Sequence, residues 1–156
     1  MNVFIAHRGN LFGPNPKLEN KPSYIIDTLN NNYDVEIDIW YDNGWWLGHD
    51  NPQYKINYKW INDKQQKLWI HCKNIEALYR FSKNDNNIGI NSPNYFWHQN
   101  DDCVLTSHNF IWTYPGKFLT KRSIAVLPET INNYTKTQLK NCWGICSDYS
   151  SFSKFQ

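Results

Sequence analysis

Two carboxylates one residue apart, in Val35-Glu36-Ile37-Asp38-Ile39, are the first residues that suggest chemistry. On an extended strand the side chains alternate, so Glu36 and Asp38 share one face and the three aliphatic residues share the other. Like charges held side by side raise each other's pKa unless a cation lies between them. Mg²⁺ or Ca²⁺, which favour hard oxygen donors, would resolve the conflict; a solvent-facing acidic edge would also do so. Histidines recur around this pair: His7-Arg8-Gly9 closes the first apolar run, Leu47-Gly48-His49-Asp50 follows a turn, and Trp69-Ile70-His71-Cys72-Lys73 ends a further run. Because imidazole titrates near neutrality, one histidine can take a proton from an attacking hydroxyl while another gives one to a leaving oxygen. Arg8 and Lys73 add fixed positive charge of the kind that offsets charge building on a phosphate ester.

The elements that must position these groups are short. Alternation and turn residues predict strands over Asn2 to His7, Tyr33 to Trp40, Trp45 to Gly48 and Lys67 to Cys72, with Asp42-Asn43-Gly44 as a hairpin turn. Further strands are expected over Ile88 to Asn91, Tyr95 to His98, Cys103 to Thr106, Phe110 to Tyr114, Ser123 to Leu127 and Trp143 to Cys146. Helices are expected over Ser23 to Asn30, Ile75 to Phe81 and Thr135 to Leu139. Many strands with few short helices suggest a pared-down α/β barrel or an open, largely parallel sheet. No repeat or linker divides the chain, so residues 1–156 read as one domain.

Composition narrows the function classes. Sixteen basic against 14 acidic residues give a net charge of +2, too small a field for a dedicated nucleic-acid binder. Runs such as Val3 to Ala6 fall far short of the roughly 20 apolar residues of a membrane span. The opening residues lack a secretory pattern, and the cytoplasm is the expected location. Cys72, Cys103, Cys142 and Cys146 are too scattered for a disulfide framework and read as free, buried thiols, with a zinc site of Cys72, Cys142, Cys146 and His71 as a weak alternative. Aromatics reach 17%, including 8 Trp and 10 Tyr, and should mostly fill a core.

Taken in order, His7-Arg8-Gly9, Glu19-Asn20, Glu36-Ile37-Asp38, the Asp42-Asn43-Gly44 turn and Leu47-Gly48-His49-Asp50 resemble the glycerophosphodiester phosphodiesterase family. The resemblance extends to Ile70-His71-Cys72-Lys73 and to Gly144-Ile145-Cys146-Ser147-Asp148 near the end. It implies a TIM-type barrel, a divalent metal and hydrolysis of a phosphodiester. By position it makes His7 and His49 the acid/base pair, Arg8 and Lys73 phosphate contacts, and Glu36 and Asp38 metal ligands, with Glu19 orienting or ligating nearby. The chain departs from the family where His71 replaces a carboxylate two residues before the lysine. Hard cations favour a nitrogen donor less, so the expected metal is softer, shifted, more weakly bound or absent, with His71 among the candidate ligands. A replacement ligand could come from the 97–102 segment, with Asp102 and His98 as candidates.

Size is the second departure, since a barrel of this type takes about 250 residues and rarely fewer than about 200. The expected fold is therefore α/β, a reduced TIM-type barrel with few or short outer helices. Bare strands would carry aromatic outer faces between Tyr95 and Tyr114, which an oligomeric partner could cover. The expected function is metal-assisted hydrolysis, with Mg²⁺ or Ca²⁺, of a small glycerophosphodiester-like or sugar-phosphodiester substrate. The alternative is a non-catalytic module that binds a phosphate or sugar ligand on the same scaffold.

Overall fold

The computed structural model describes residues 2–83, 92–131 and 133–151. Ten strands form one sheet: β1 Val3–His7, β2 Asp34–Tyr41, β3 Trp45–Leu47, β4 Tyr54–Ile56, β5 Leu68–Cys72, β6 Asn94–Trp97, β7 Cys103–Leu105, β8 Ile111–Thr113, β9 Ser123–Val126 and β10 Gly144–Ser147. Four helices accompany them: α1 Pro22–Asn30, α2 Tyr58–Asn62, α3 Ile75–Lys83 and α4 Lys136–Asn141. The strand expected over residues 88–91 lies outside the described residues. Strand β4 and helix α2 are additions to the sequence reading.

Seven strands run parallel in the order β6-β5-β2-β1-β10-β9-β8. Antiparallel β3 and β4 extend the end of β2, and β7 pairs antiparallel with β8. The expected reduced TIM-type barrel is therefore corrected: the sheet is mixed, curls into a half-barrel and is richer in strand than a TIM barrel. The physical reason is local. Where a βα unit would place a helix after β6, the chain makes the β7–β8 hairpin, and β8 passes to β9 without a helix. Among the described residues no ladder joins β6 to β7; the Ser107 N–H donates to the Tyr95 carbonyl at 2.9 Å instead.

The sheet is covered on both faces, as a parallel sheet must be. On the outer face Val35, Ile37 and Ile39 of β2, Ile70 and Cys72 of β5 and Ala6 of β1 pack with Ile25 of α1 and with Ala77 and Phe81 of α3. Pro22 opens α1, where its missing N–H costs nothing, and the Asn74 side chain accepts from the Ala77 N–H at the start of α3. Asn74 also bonds both the N–H and the carbonyl of Tyr41, which ties α3 to the end of β2. A smaller outer cluster joins Leu139 of α4 to Ala125 and Ile145.

The inner face is filled by Ile5, Trp69, Phe96, Trp112, Ile124, Val126 and Cys146. Phe96 and Trp112 are each 2% exposed, so the expected bare aromatic outer face does not form. Tyr95, on the opposite face of β6, stacks on Phe81 of α3. Cys72, Cys142 and Cys146 are buried and Cys103 is exposed, all as free thiols, and the zinc alternative does not assemble among the described residues. No helix among these residues is long and apolar enough to cross a membrane.

Ile37 is fully buried at the centre of the larger cluster. Ile37→Ala should lower unfolding stability by about 2–5 kcal/mol, whereas exposed Phe118→Ala should change it by less than about 0.5 kcal/mol. Urea denaturation followed by tryptophan fluorescence would measure both.

Candidate active site

Strand register brings the distant motifs to one end of the sheet. His7 pairs in register with Glu36 across β1 and β2, and Asp38 pairs with His71 across β2 and β5. Alternation then points Glu36 and Asp38 away from the helix-covered aliphatic face. Both are buried, with Asp38 inaccessible to solvent.

Asp38 is held from four sides. Its Oδ1 lies 3.1 Å from His71 Nδ1 and 3.5 Å from Lys73 Nζ. Its Oδ2 accepts from Asn20 Nδ2 at 2.9 Å and pairs with Arg8 Nε at 3.0 Å. Asn20 also accepts the Asp38 backbone N–H at 2.9 Å. Burial alone would raise this carboxyl, but the His71 hydrogen bond and the charges of Arg8, His71 and Lys73 outweigh it and hold Asp38 far below the usual range. Glu36 is treated differently. Its Oε2 accepts the Arg8 backbone N–H at 3.2 Å, and its Oε1 is 4.0 Å from His71 Nδ1. Burial first, and then repulsion from Asp38, push its carboxyl upward.

Arg8 and Asn20 both adopt left-handed backbone conformations, with φ of 52° and 60°. Residues other than glycine rarely hold that region, and here it turns the Arg8 N–H onto Glu36 while Asn20 faces Asp38. The Asn20 N–H in turn donates to the Arg8 carbonyl at 3.1 Å.

His7 Nδ1 lies 2.8 Å from Asp148 Oδ1 at the end of β10. Burial would lower the imidazole, yet the Asp148 hydrogen bond and the Glu36 charge hold it above its ordinary value. Asp148 is itself positioned: Asn10 Nδ2 donates to it at 2.8 Å, and Glu129 accepts its backbone N–H at 2.9 Å. His49 sits beyond β3, after Gly48. The Gly48 N–H donates to the Asp38 carbonyl at 3.1 Å and its carbonyl accepts from the Trp40 indole at 2.6 Å. With φ of 148° and the Asn51 carbonyl where a Cβ would go, position 48 requires glycine. His49 Nδ1 lies 2.7 Å from Asp50, and burial, the largest influence, lowers its pKa despite the charge of Asp38.

These groups converge on a cavity of about 290 Å³. His7, Arg8, Glu36, His49, His71 and Lys73 line its polar side. Trp112, Tyr114, Val126 and Leu127 line the other, with His98 stacked on Tyr114 at 3.6 Å between ring centres. Two expected residues stand elsewhere. Glu19 bridges Arg8 and Asn10 at 3.2 and 3.0 Å, as an orienting group outside the carboxylate–histidine cluster. Asp102 pairs with Lys117 at 2.6 Å and its side chain is 72% exposed, so its place as a ligand is corrected.

The donor chemistry fits a divalent cation. Glu36, Asp38 and His71 each offer a ligand atom, all within 4.8 Å of one another. Around them Glu19, Glu36, Asp38 and Asp148 supply four carboxylates against the permanent charges of Arg8 and Lys73. The roles of Asp148 and Asn10 were not read from the sequence. Ser147-Asp148 belonged to a visible motif, but its pairing with His7 spans 141 residues and no local pattern signals it.

No family profile, curated protein or solved structure matches this chain. The site's own chemistry carries the functional reading.

Asp148→Asn removes the negative charge and leaves only a neutral amide acceptor in place of the carboxylate that raises His7. The His7 titration should move down to or below its ordinary value while that of His49 stays in place, as read by NMR of the histidine ring protons across pH.

Proposed function

We propose that the protein is a phosphodiester hydrolase that uses His7 and His49 as an acid/base pair on a small glycerophosphodiester-like or sugar-phosphodiester substrate. The observation that carries this reading is the opening of both imidazoles onto one cavity, together with two cations and a buried carboxylate pair. Their surroundings push the two pKa values apart, which is how two like groups acquire opposite roles. The lowered, neutral His49 accepts the proton of the attacking hydroxyl. The raised, protonated His7, held by Asp148, gives a proton to the leaving oxygen. Arg8 and Lys73 bind the non-bridging oxygens of the phosphate, and the aromatic wall at Trp112 and Tyr114 takes the alcohol part.

Glu36, Asp38 and His71 would hold a divalent cation, Mg²⁺ or Ca²⁺ on the preference of the carboxylates alone. Such an ion supplies Lewis-acid stabilisation of the phosphoryl oxygens. One observation favours the rival reading of a non-catalytic phosphate-binding module. Both Asp38 oxygens are already engaged by Arg8, Asn20, His71 and Lys73, an arrangement that positions cations without requiring turnover.

Purified protein assayed on bis(p-nitrophenyl) phosphate and on glycerophosphodiesters, with each cation and with chelator, separates the two. His7→Ala and His49→Ala should each cut turnover by about 10²–10⁴-fold, and Glu36→Gln should weaken the metal dependence. The pH profile should be bell-shaped around neutrality. Its acid limb marks protonation of His49, below the ordinary histidine value, and its alkaline limb marks deprotonation of His7, above it. Phosphate binding without hydrolysis under every cation would support the binding module.

A further inference from the structure

We infer that the cation of this cavity is a borderline first-row transition ion such as Zn²⁺ or Co²⁺, bound through two imidazoles, His71 and His98, beside Glu36 and Asp38. This deepens the reading above by naming the cation and rests on its ligand assignment.

Mg²⁺ and Ca²⁺ bind through oxygen, with water filling the positions that protein oxygens leave, and gain little from imidazole. Glu36 lines the cavity and Asp38 lies buried beside it, with Oδ2 already committed to Arg8 and Asn20. Nitrogen is the donor in surplus. His71 Nδ1 stands 3.1 Å from Asp38 and 4.0 Å from Glu36, within the carboxylate cluster itself. Across from it, the His98 ring centre is 6.1 Å away, with the planes tilted by 44°. Two imidazoles on one ion, each bound at about 2.1 Å, place their ring centres roughly 5–6 Å apart. His98 stands just outside the Glu36–Asp38–His71 cluster, and a side-chain rotation is what brings its ring onto the ion.

The surroundings hold both rings ready. His71 lies flat against Phe96 at 5.1 Å, and His98 lies against Tyr114 at 3.6 Å. His98 Nδ1 is buried without a hydrogen bond, and Asp101 Oδ2 stands 3.8 Å from it. Glu36 is 97% buried, its side chain 3% exposed, and it faces the same cavity. Imidazole nitrogens favour Zn²⁺ and Co²⁺ over Mg²⁺ and Ca²⁺, so a site with His71 and His98 beside the carboxylates selects the former.

Metal-stripped full-length protein is titrated calorimetrically with CoCl₂, ZnCl₂, MgCl₂ and CaCl₂, and the cobalt form is read by visible absorption. The expected result is one equivalent of Co²⁺ or Zn²⁺ bound at least about tenfold more tightly than Mg²⁺ or Ca²⁺, with ligand-field bands and no thiolate charge-transfer band. His98→Gln and His71→Gln should each weaken Co²⁺ binding about tenfold or more, and His71→Glu should turn the preference toward Mg²⁺ or Ca²⁺. Circular dichroism melts establish that each variant is folded, with His98→Asn and His71→Asn in reserve. Mg²⁺ or Ca²⁺ binding as tight as Co²⁺, no binding at all, a thiolate band, or unaltered Co²⁺ binding in either glutamine variant would overturn the inference. Hydrolysis with Mg²⁺ and no preference for Co²⁺ would leave the phosphodiesterase reading standing. Selective Co²⁺ binding without hydrolysis would refute that reading and keep the metal assignment.

Discussion

A carboxylate buried in a sheet is costly, and the neutralisation of Asp38 is the constraint around which this molecule is arranged. Leaving water costs an ion several kcal/mol even after relaxation, so the charge persists only with close, well-directed partners. Those partners come from separate stretches of chain: Arg8 after β1, Asn20 before α1, and His71 with Lys73 at the end of β5. Three segments must therefore meet at the end of β2 for that strand to be tolerated at all. The alternation of β2 makes the demand strict. A slip of one residue would put Glu36 and Asp38 beneath α1 and α3 and turn Val35 and Ile37 into the cavity. The aliphatic face and the charged face fix the same register from opposite sides.

Backbone strain follows from this constraint. Arg8 sits in a left-handed conformation that side chains ordinarily avoid, Asn20 in one that asparagine tolerates, and the Asn20 N–H bonds the Arg8 carbonyl. Each residue supports the other while serving the carboxylates. The two loops behave as one clamp, and Glu19, adjacent to Asn20, extends it to Asn10 and through Asn10 to Asp148. His7 is oriented from the far side of β1 by that chain of contacts. The acid/base group and the carboxylate pair are thus mechanically connected although no direct bond joins them.

Much of this was legible in residue order, for physical reasons that differ by element. The pattern from Val35 to Ile39 could be read because period two is local, and the Asp42-Asn43-Gly44 turn because positive φ selects Asn and Gly. Helix α2 escaped because five residues give too little periodicity; it depends on Asn57, whose side chain accepts the Trp60 N–H. The architecture misled for a different reason. The strand pattern and the motif order suggested a reduced barrel, but whether a sheet closes depends on what lies between strands. The chain between β6 and β9 spends its residues on a hairpin. Aromatics at 95–114 looked like an exposed skin because strand alternation does not say which face is inner. Phe96 and Trp112 in fact fill the half-barrel.

The distribution of cover explains how so short a chain can hold such a site without a closed ring. Helices α1 and α3 lie over β1, β2 and β5, the strands that carry His7, Glu36, Asp38 and His71. Among the described residues the opposite half has α4 alone outside, and its inner face is braced by Trp69 against Phe110 and Trp112, and by Phe96 against Trp112. Charged groups need partners held to within fractions of an ångström, which calls for strands clamped on both faces. A cavity wall for an alcohol needs shape and apolar surface, which stacked aromatics provide with less backbone. The chain therefore places its regular structure under the charges and uses large rings where only a surface is required. This also accounts for a composition rich in Trp and Tyr in a protein with so few helices.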